Sequence, residues 1–294
     1  MVRRCGRMGR ALLGAGLCIA ASPAVWAARH VDVLYAGSLV NLMEQSVGPA
    51  FQHATGEQFR GYAAGSNALA NEIKGQLRRG DVFVSANPKV NQSLEGPDNG
   101  DWVHWYVMFA ESPLVIGYNP HSRFAADFKR KPWYQVLSSP GIRIGRTDPK
   151  LDPKGALTLT LMQRAAELYH EPELSQHVLG APDNPAQVLP EPTLVGRLQS
   201  GELDAGFFYS TETSTAHIPA VSPPAEIAPK AQYTVTILRQ APDAQAAEQF
   251  LRFLLDAPGR QLLREHGLNL RAPTLIGAEQ DVPAGIRALL HSVP

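Results

Sequence analysis

Two Ala-Gly-Ser triplets, at 36–38 and 64–66, are the residues whose type and spacing most clearly suggest chemistry. Each follows an apolar run and precedes a helical pattern, which predicts that Ser38 and Ser66 lie at helix N-termini. A serine hydroxyl there can cap the helix, and the first N–H groups of a helix lack intrahelical partners. Two such turns at one edge of a sheet could therefore bind an anion without Lys or Arg. The alternative interpretation is that both serines are ordinary helix caps.

The second half of the chain offers further groups of this kind. Asp152 and Lys154 lie in the stretch DPKG, which leads directly into a helical pattern, and Glu191 and Thr193 precede another. Tyr209 ends a predicted strand and could supply a phenol hydroxyl. In the alternative interpretation, Asp152 and Thr193 are helix caps and Tyr209 is a packing residue.

Enzyme signatures are missing from the sequence. Neither serine lies in a G-x-S-x-G motif, since Leu39 and Asn67 follow them, and no G-x-x-x-x-G-K-[ST] or H-E-x-x-H motif occurs. The nine His are scattered, and no two are spaced i, i+4 on one helix face. We therefore expect a binding protein rather than an enzyme, with no cofactor and no free metal cation.

The first 27 residues have the pattern of a secretory signal peptide. Four Arg precede an apolar run at 11–21, and the small residues of AVWA follow. This predicts a mature chain that begins at Ala28 and is exported to the periplasm. The alternatives are a membrane anchor, for which the run is short, and a lipoprotein modified at Cys18.

Charge and cysteine content exclude further classes of protein. Removal of the leader leaves 23 of the 27 Lys and Arg against 27 Asp and Glu, which argues against a nucleic-acid-binding surface. Cys5 and Cys18 are the only cysteines, and both lie in the leader. The mature chain would thus contain no disulfide and no thiolate metal site.

Strand and helix patterns alternate along the chain, which predicts an α/β protein with a parallel sheet. A helical pattern after Ser38 is expected to be interrupted at Gly48-Pro49. We predict two α/β lobes, one formed by 28–111 and 232–294 and the other by 112–231. The extended stretches at 109–115 and 232–238 would be the hinge strands between them. The strand patterns lie at 31–37, 57–64, 81–87, 105–120, 141–146, 204–210 and 232–239.

An ordered set of motifs runs along nearly the whole mature chain: YAGSL, AAGSNALANEI, DVFVSAN, ESPLVIGYN, DPKGA and GELDAGFFYSTET. Together they resemble the periplasmic molybdate/tungstate-binding proteins of ABC transporters. The resemblance implies the class II solute-binding fold and a monomer that hands its oxyanion to a membrane permease. It further implies that Ser38 and Ser66 bind the anion through hydroxyl and main-chain N–H, and that Tyr209 donates its hydroxyl. Main-chain N–H groups near Lys154 and Glu191 would complete the site.

The chain departs from one branch of that family, in which two carboxylates bond the metal directly. Asp152 falls where one of them would lie, but Phe208 occupies the other position. The resemblance therefore implies a tetrahedral oxyanion held by hydrogen bonds. A carboxylate beside a dianion is repulsive unless it bonds the metal, accepts a proton of the ligand or turns away to cap its helix, and these choices stay open for Asp152.

Two other functions fit the same sequence. The first is a binding protein of the same fold for sulfate, phosphate or a small organic anion. The second is a signalling or scaffold protein whose output is the closed arrangement of the lobes.

Overall fold

A computed structural model describes residues 1–2 and 29–292. The predicted signal peptide, apart from its first two residues, lies outside this part of the chain. None of the helices described is both long and apolar enough to cross a membrane. The strands are β1 (His30–Ala36), β2 (Gln58–Ala64), β3 (Val82–Ser85), β4 (Trp105–Tyr118), β5 (Ile144–Gly145), β6 (Ala205–Tyr209), β7 (Ala220–Val221), β8 (Lys230–Ile237) and β9 (Asn269–Gly277).

Helices cover both sides of this sheet. Short 3-10 turns at Gly37–Leu39 and Glu191–Thr193 matter for the site described below. The α-helices are α1 (Val40–Leu42), α2 (Gly48–Thr55), α3 (Ser66–Lys74), α4 (Pro88–Gln92), α5 (Ala125–Phe128), α6 (Trp133–Leu137), α7 (Pro153–Leu168), α8 (Leu174–Leu179), α9 (Leu194–Gln199), α10 (Ser210–Thr215), α11 (Ala244–Leu255), α12 (Ala257–Glu265) and α13 (Ala284–Ser292).

The strands run in the order β2-β1-β3-β8-β4-β6-β5, and β7 and β9 also pair with β4. The long strand β4 belongs to two lobes. Its first part pairs with β8 and β9, whereas Leu114–Tyr118 pairs with β6 and part of this stretch with β7. The prediction of two α/β lobes joined by extended strands is therefore confirmed. We call the part built on β1, β2, β3, β8 and β9 the first lobe, and the part built on β5, β6 and β7 the second lobe.

The sheet is parallel only in part. Strands β2, β1 and β3 are parallel as predicted, but β8 is antiparallel to both β3 and β4. An antiparallel β8 follows from its role as a return strand, because the chain comes back from the second lobe in the direction opposite to β4.

The predicted interruption at Gly48-Pro49 is wrong. The helix continues from α1 through a π-helical stretch, Met43–Val47, into α2. Pro49 lies in the first turn of α2, and the N–H of Gly48 donates to the carbonyl of Met43. A π-helical turn shifts the hydrogen-bond register by one residue and lets the helix pass a proline that has no N–H to donate.

The apolar core extends under both lobes. Its largest cluster joins β1, β4, β6 and β8 with helices α2, α7 and α11. Two smaller clusters lie under α3 in the first lobe and under α9 in the second. Because the core holds the strands rigidly, the turns that follow β1 and β2 are fixed relative to each other.

Candidate functional site

The two Ala-Gly-Ser turns lie side by side. Strands β1 and β2 are parallel neighbours in which Ala36 pairs with Ala64, so both turns leave the same edge of the sheet. Ser38 follows in a 3-10 turn, and Ser66 is the first residue of α3. We call Ser38 and Ser66 the turn serines. Both are buried.

The turn serines do not cap their helices, so the alternative interpretation that both are ordinary helix caps is wrong. The N-cap positions are Ala36 and Gly65, and neither helix start has a side-chain cap. The hydroxyl of Ser38 lies 3.0 Å from the hydroxyl of Tyr233, and Ser66 Oγ accepts a hydrogen bond from the N–H of Ala86 at 3.1 Å. Each hydroxyl thus has bonding capacity left for a further group, since a hydroxyl has one donor and two acceptor sites.

Asp152 meets these turns from the second lobe. It is the N-cap of α7, as the alternative interpretation proposed, and its Oδ1 accepts from the N–H of Lys154 at 2.7 Å and from Thr147 Oγ1 at 3.0 Å. Its Oδ2 is buried without a hydrogen-bond partner. Burial, and next the carboxylate of Glu191, raise the pKa of Asp152 well above its ordinary value. The side chain caps its helix through Oδ1, and the Asp152 and Glu191 carboxyl groups lie close enough for a hydrogen bond between them once one carries a proton.

Lys154 is fully buried, and its charge is already paired. The ammonium donates to both carboxylate oxygens of Glu212, at 2.8 and 2.9 Å, and lies 3.3 Å from Glu191 Oε1. Burial lowers the pKa of Lys154, but the carboxylates of Glu212 and Glu191 outweigh burial and raise it above the ordinary value. The main-chain N–H of Lys154 donates to Asp152, and its ammonium group faces the carboxylates of Glu212 and Glu191 and not a free anion site.

Glu191 enters the site through its side chain, whereas the sequence predicted only its main-chain N–H. It begins the 3-10 turn that precedes α9. Both of its carboxylate oxygens are buried without a hydrogen-bond partner. Thr193, the nearby candidate cap, instead donates to the carbonyl of Pro190.

Two buried tyrosines complete the site. Tyr209 ends β6, and its hydroxyl has no hydrogen-bond partner, while Tyr233 on β8 contacts Ser38. Their rings meet edge to face at 6.2 Å between centroids. Burial raises the pKa of both phenols well above the ordinary value, so both are neutral hydrogen-bond donors. Phe208 instead packs beside α9 in a smaller apolar cluster.

The glycine of each turn lies against a carboxyl group of the opposite lobe. A Cβ at Gly37 would fall 2.8 Å from Glu191 Oε2, and a Cβ at Gly65 would fall 3.0 Å from Asp152 Oδ2. The same Cβ at Gly65 would come closer than 3.0 Å to the carbonyl oxygen of Leu151. That carbonyl also accepts a hydrogen bond from the N–H of Ala68 at 3.0 Å. The lobes are therefore in direct contact, and glycine is needed where they meet.

Little space is left between the lobes beside the turn serines. A gap of about 10 Å³ is lined partly by Ser38, Glu191 and Glu212. A wider cleft of about 410 Å³ opens beside it, between the end of β2 and the stretch 188–193. A larger cavity, about 510 Å³, lies elsewhere, next to His104, whose ring nitrogens are already hydrogen-bonded to carboxylates.

The structure thus brings together all six residues that the sequence singled out: Ser38, Ser66, Asp152, Lys154, Glu191 and Tyr209. Tyr233 and Glu212 were missed. Glu212 follows Tyr209 by three residues and accepts its N–H at 2.7 Å, and this spacing is a signal that could have identified it. No local pattern marks Tyr233, because its partner Ser38 is 195 residues away.

Known proteins resemble this chain in sequence and in fold. A family model described as "Bacterial extracellular solute-binding protein" matches residues 31–269. The molybdate/tungstate-binding protein WtpA of Pyrococcus abyssi is 25% identical over 280 residues, covering 79% of this chain and 80% of that protein.

Solved structures share the fold at low sequence identity. The periplasmic molybdate-binding protein of Azotobacter vinelandii superposes with a TM-score of 0.62 at 19% identity, covering 82% of this chain and 99% of that one. The sulfate-binding protein SubI of Mycobacterium tuberculosis also gives 0.62, at 14% identity, covering 90% and 92%. These likenesses establish the fold of a periplasmic binding protein.

Proposed function

Because the chain belongs to the family of bacterial extracellular solute-binding proteins, we propose that it captures molybdate or tungstate between its two lobes. It delivers this tetrahedral oxyanion to the membrane permease of an ABC importer. The protein acts as a periplasmic monomer after removal of residues 1–27. The similarity to WtpA supports molybdate or tungstate as the ligand.

One observation carries the proposal: two adjacent strand-to-helix turns each present a buried serine hydroxyl beside a helix N-terminus. Helix N-termini carry unpaired N–H groups and the positive end of the dipole, which suits a dianion. Tyr209 adds a hydroxyl from the second lobe, and its lack of any other partner favours this role. The positive charge of Lys154 is paired with Glu212, so the anion is held by neutral donors.

A second ligand class is favoured by Asp152. Its free Oδ2 could accept a hydrogen bond from an anion that carries its own proton, such as phosphate. Sulfate carries no proton near neutral pH and lacks this argument. Phosphate is therefore the alternative ligand that the site supports.

A thermal-shift screen of the mature chain against tungstate, molybdate, sulfate, phosphate and chromate tests the proposal. A ligand at 100 times its Kd stabilises the folded state by about 2.7 kcal/mol, so the true ligand should raise the melting temperature by several degrees. We expect the largest shift with tungstate or molybdate. A larger shift with phosphate would favour the alternative, and no shift with any of the five would refute oxyanion capture.

A further inference from the structure

Two acidic side chains face the proposed anion from the second lobe with unused hydrogen-bonding capacity. Asp152 and Glu191 are only 3% and 4% exposed. Asp152 Oδ2 and both oxygens of Glu191 have no hydrogen-bond partner. Such groups are rare in a protein interior, and each implies an unseen partner or a proton.

The nearby positive charge does not neutralise them. Lys154 forms its two hydrogen bonds to Glu212 and only a 3.3 Å ion pair to Glu191. The other titratable groups facing the pair are Tyr209 and Tyr233, which are neutral phenols. One ammonium thus stands against three carboxyl groups. If all three were ionised, a dianion would enter a buried region that already has a net negative charge.

Protonation removes this conflict. The two carboxyl groups interact closely enough that Glu191 contributes to the raised pKa of Asp152, after burial. Like-charged carboxylates in one buried site share a proton rather than both ionising. A protonated carboxyl group has an O–H to donate and can bind an anion instead of repelling it.

We propose that Asp152, buried beside the carboxylate of Glu191, takes up one proton when the lobes close on the anion, so that each oxyanion dianion is bound together with a proton taken from the solvent. This inference rests on the proposed function and adds a specificity rule to it. Because burial is the first cause of the raised pKa of Asp152, this effect is lost when the lobes open and the side chain reaches water. On closure Asp152 Oδ2 accepts a proton from the acid form of the buffer, which becomes its conjugate base, and the resulting O–H donates to an oxygen of the anion.

Ligands that carry a proton and ligands that do not are treated differently by this arrangement. Tungstate and molybdate are fully deprotonated at neutral pH, so a proton must come from the solvent. Hydrogenphosphate brings its own proton, which can occupy the same position between the carboxyl pair and the anion. Proton uptake from the buffer therefore reports which kind of anion is bound.

Calorimetric titration with tungstate, in buffers of different ionisation enthalpy at pH 7, measures that uptake. We expect about one proton per tungstate, and an affinity that falls about tenfold per pH unit between pH 6 and pH 8. With phosphate, if it binds as hydrogenphosphate, we expect no net proton uptake, because the dihydrogen form present at pH 7 must release its extra proton to the buffer. Tungstate binding with no proton uptake and a flat pH profile would overturn the inference while leaving the proposed function intact. A failure to bind any oxyanion at any pH would instead refute the proposed function.

The variant Asp152→Asn keeps the size and shape of the side chain but cannot take up a proton. Its amide oxygen can still accept from Lys154 N–H and Thr147, and its NH₂ group places a permanent donor where Oδ2 lies. We expect proton uptake by this variant to fall to near zero. Its pH profile should flatten, and at pH 8 its affinity should equal or exceed that of the wild type.

Two further variants keep the test specific. Glu191→Gln should also reduce proton uptake, because it removes the carboxylate that helps raise the pKa of Asp152. Asp127→Asn, at a partly exposed carboxylate in α5 that pairs with Lys131, should keep the wild-type uptake and pH profile. If Asp152→Asn abolishes tungstate binding at every pH while remaining folded, an ionised carboxylate is required and the shared proton is wrong.

Discussion

The glycine of the second turn allows a clear test of lobe closure. Gly65 has φ −57° and ψ 136°, which any residue can adopt, so its backbone conformation does not require glycine. What requires glycine is the carbonyl oxygen of Leu151, which would lie closer than 3.0 Å to an added Cβ. That oxygen is backbone and is held by the N–H of Ala68, so it cannot move aside as a flexible side chain could. Gly65→Ala therefore opposes the closed arrangement specifically.

The expected magnitude follows from the cost of overpacking. An extra methyl group in a tightly packed site costs about 1–3 kcal/mol, and each 1.4 kcal/mol changes an equilibrium tenfold. We expect Gly65→Ala to bind tungstate about 5- to 150-fold more weakly, with most of the loss in a faster dissociation rate. The stability of the ligand-free protein should be unchanged or slightly higher, because alanine restricts the unfolded chain.

Calorimetry gives the affinity, stopped-flow fluorescence gives the dissociation rate, and thermal denaturation without ligand gives the stability. Gly196→Ala is the matched control, since nothing lies within 4 Å of the position that its Cβ would occupy. If Gly65→Ala binds as tightly as the wild type, the contact between Gly65 and the second lobe does not form in the bound state. An equal loss in the Gly196→Ala variant would show that the effect is not specific to closure.

Three other predictions concern the turn serines, the buried ion pair and a surface histidine. Replacing either turn serine by alanine should weaken tungstate binding, measured by calorimetry, about 10- to 150-fold, because a hydrogen bond to a charged group contributes about 1.5–3 kcal/mol. Unchanged affinity in both variants would contradict a role of the turn serines in binding. Lys154→Met should lower the free energy of unfolding, measured by urea denaturation, by about 3–5 kcal/mol, because Glu212 is left buried and unpaired. The double variant with Glu212→Gln should recover part of this loss. Hydrogen bonds to Asp281 and Asp101 raise the pKa of His104, so protonated His104 stabilises the folded protein by roughly 0.5 kcal/mol. This stabilisation is complete below about pH 6.5, the pKa of an unperturbed His, and is lost as pH rises through the higher pKa of the folded state. The difference in Tm between wild type and His104→Gln should shrink from pH 6 to pH 9, and a constant difference would contradict this.

Local sequence patterns predicted much of the fold. The strands β1, β2, β3, β6 and β8 lie where the sequence patterns placed them. All but the edge strand β2 are largely buried, as expected for apolar runs in the middle of a sheet. The N-cap role of Asp152 was also accessible, since Asp before Pro and a helical pattern is a local signal. The predicted residue boundaries of the lobes stay a prediction.

Features that depend on distant contacts were not predicted. The turn serines are not caps because Gly65 takes the N-cap position one residue before Ser66, and Ala36 takes it two residues before Ser38. Sequence patterns do not resolve shifts of one or two residues at a helix end. Tyr233 reaches Ser38 only because β8 returns from the second lobe. The reason for the glycines is a contact between lobes, which no pattern within a single turn can report.

Crystals grown with tungstate and measured at the tungsten absorption edge would test the central claim most directly. The account predicts one anomalous peak between the lobes, with oxyanion oxygens within hydrogen-bond distance of Ser38, Ser66 and Tyr209. It also predicts that no Lys or Arg side chain contacts the anion. A tungsten peak outside the cleft, or one whose oxygens are bound by Lys or Arg side chains instead of the turn serines, would contradict it.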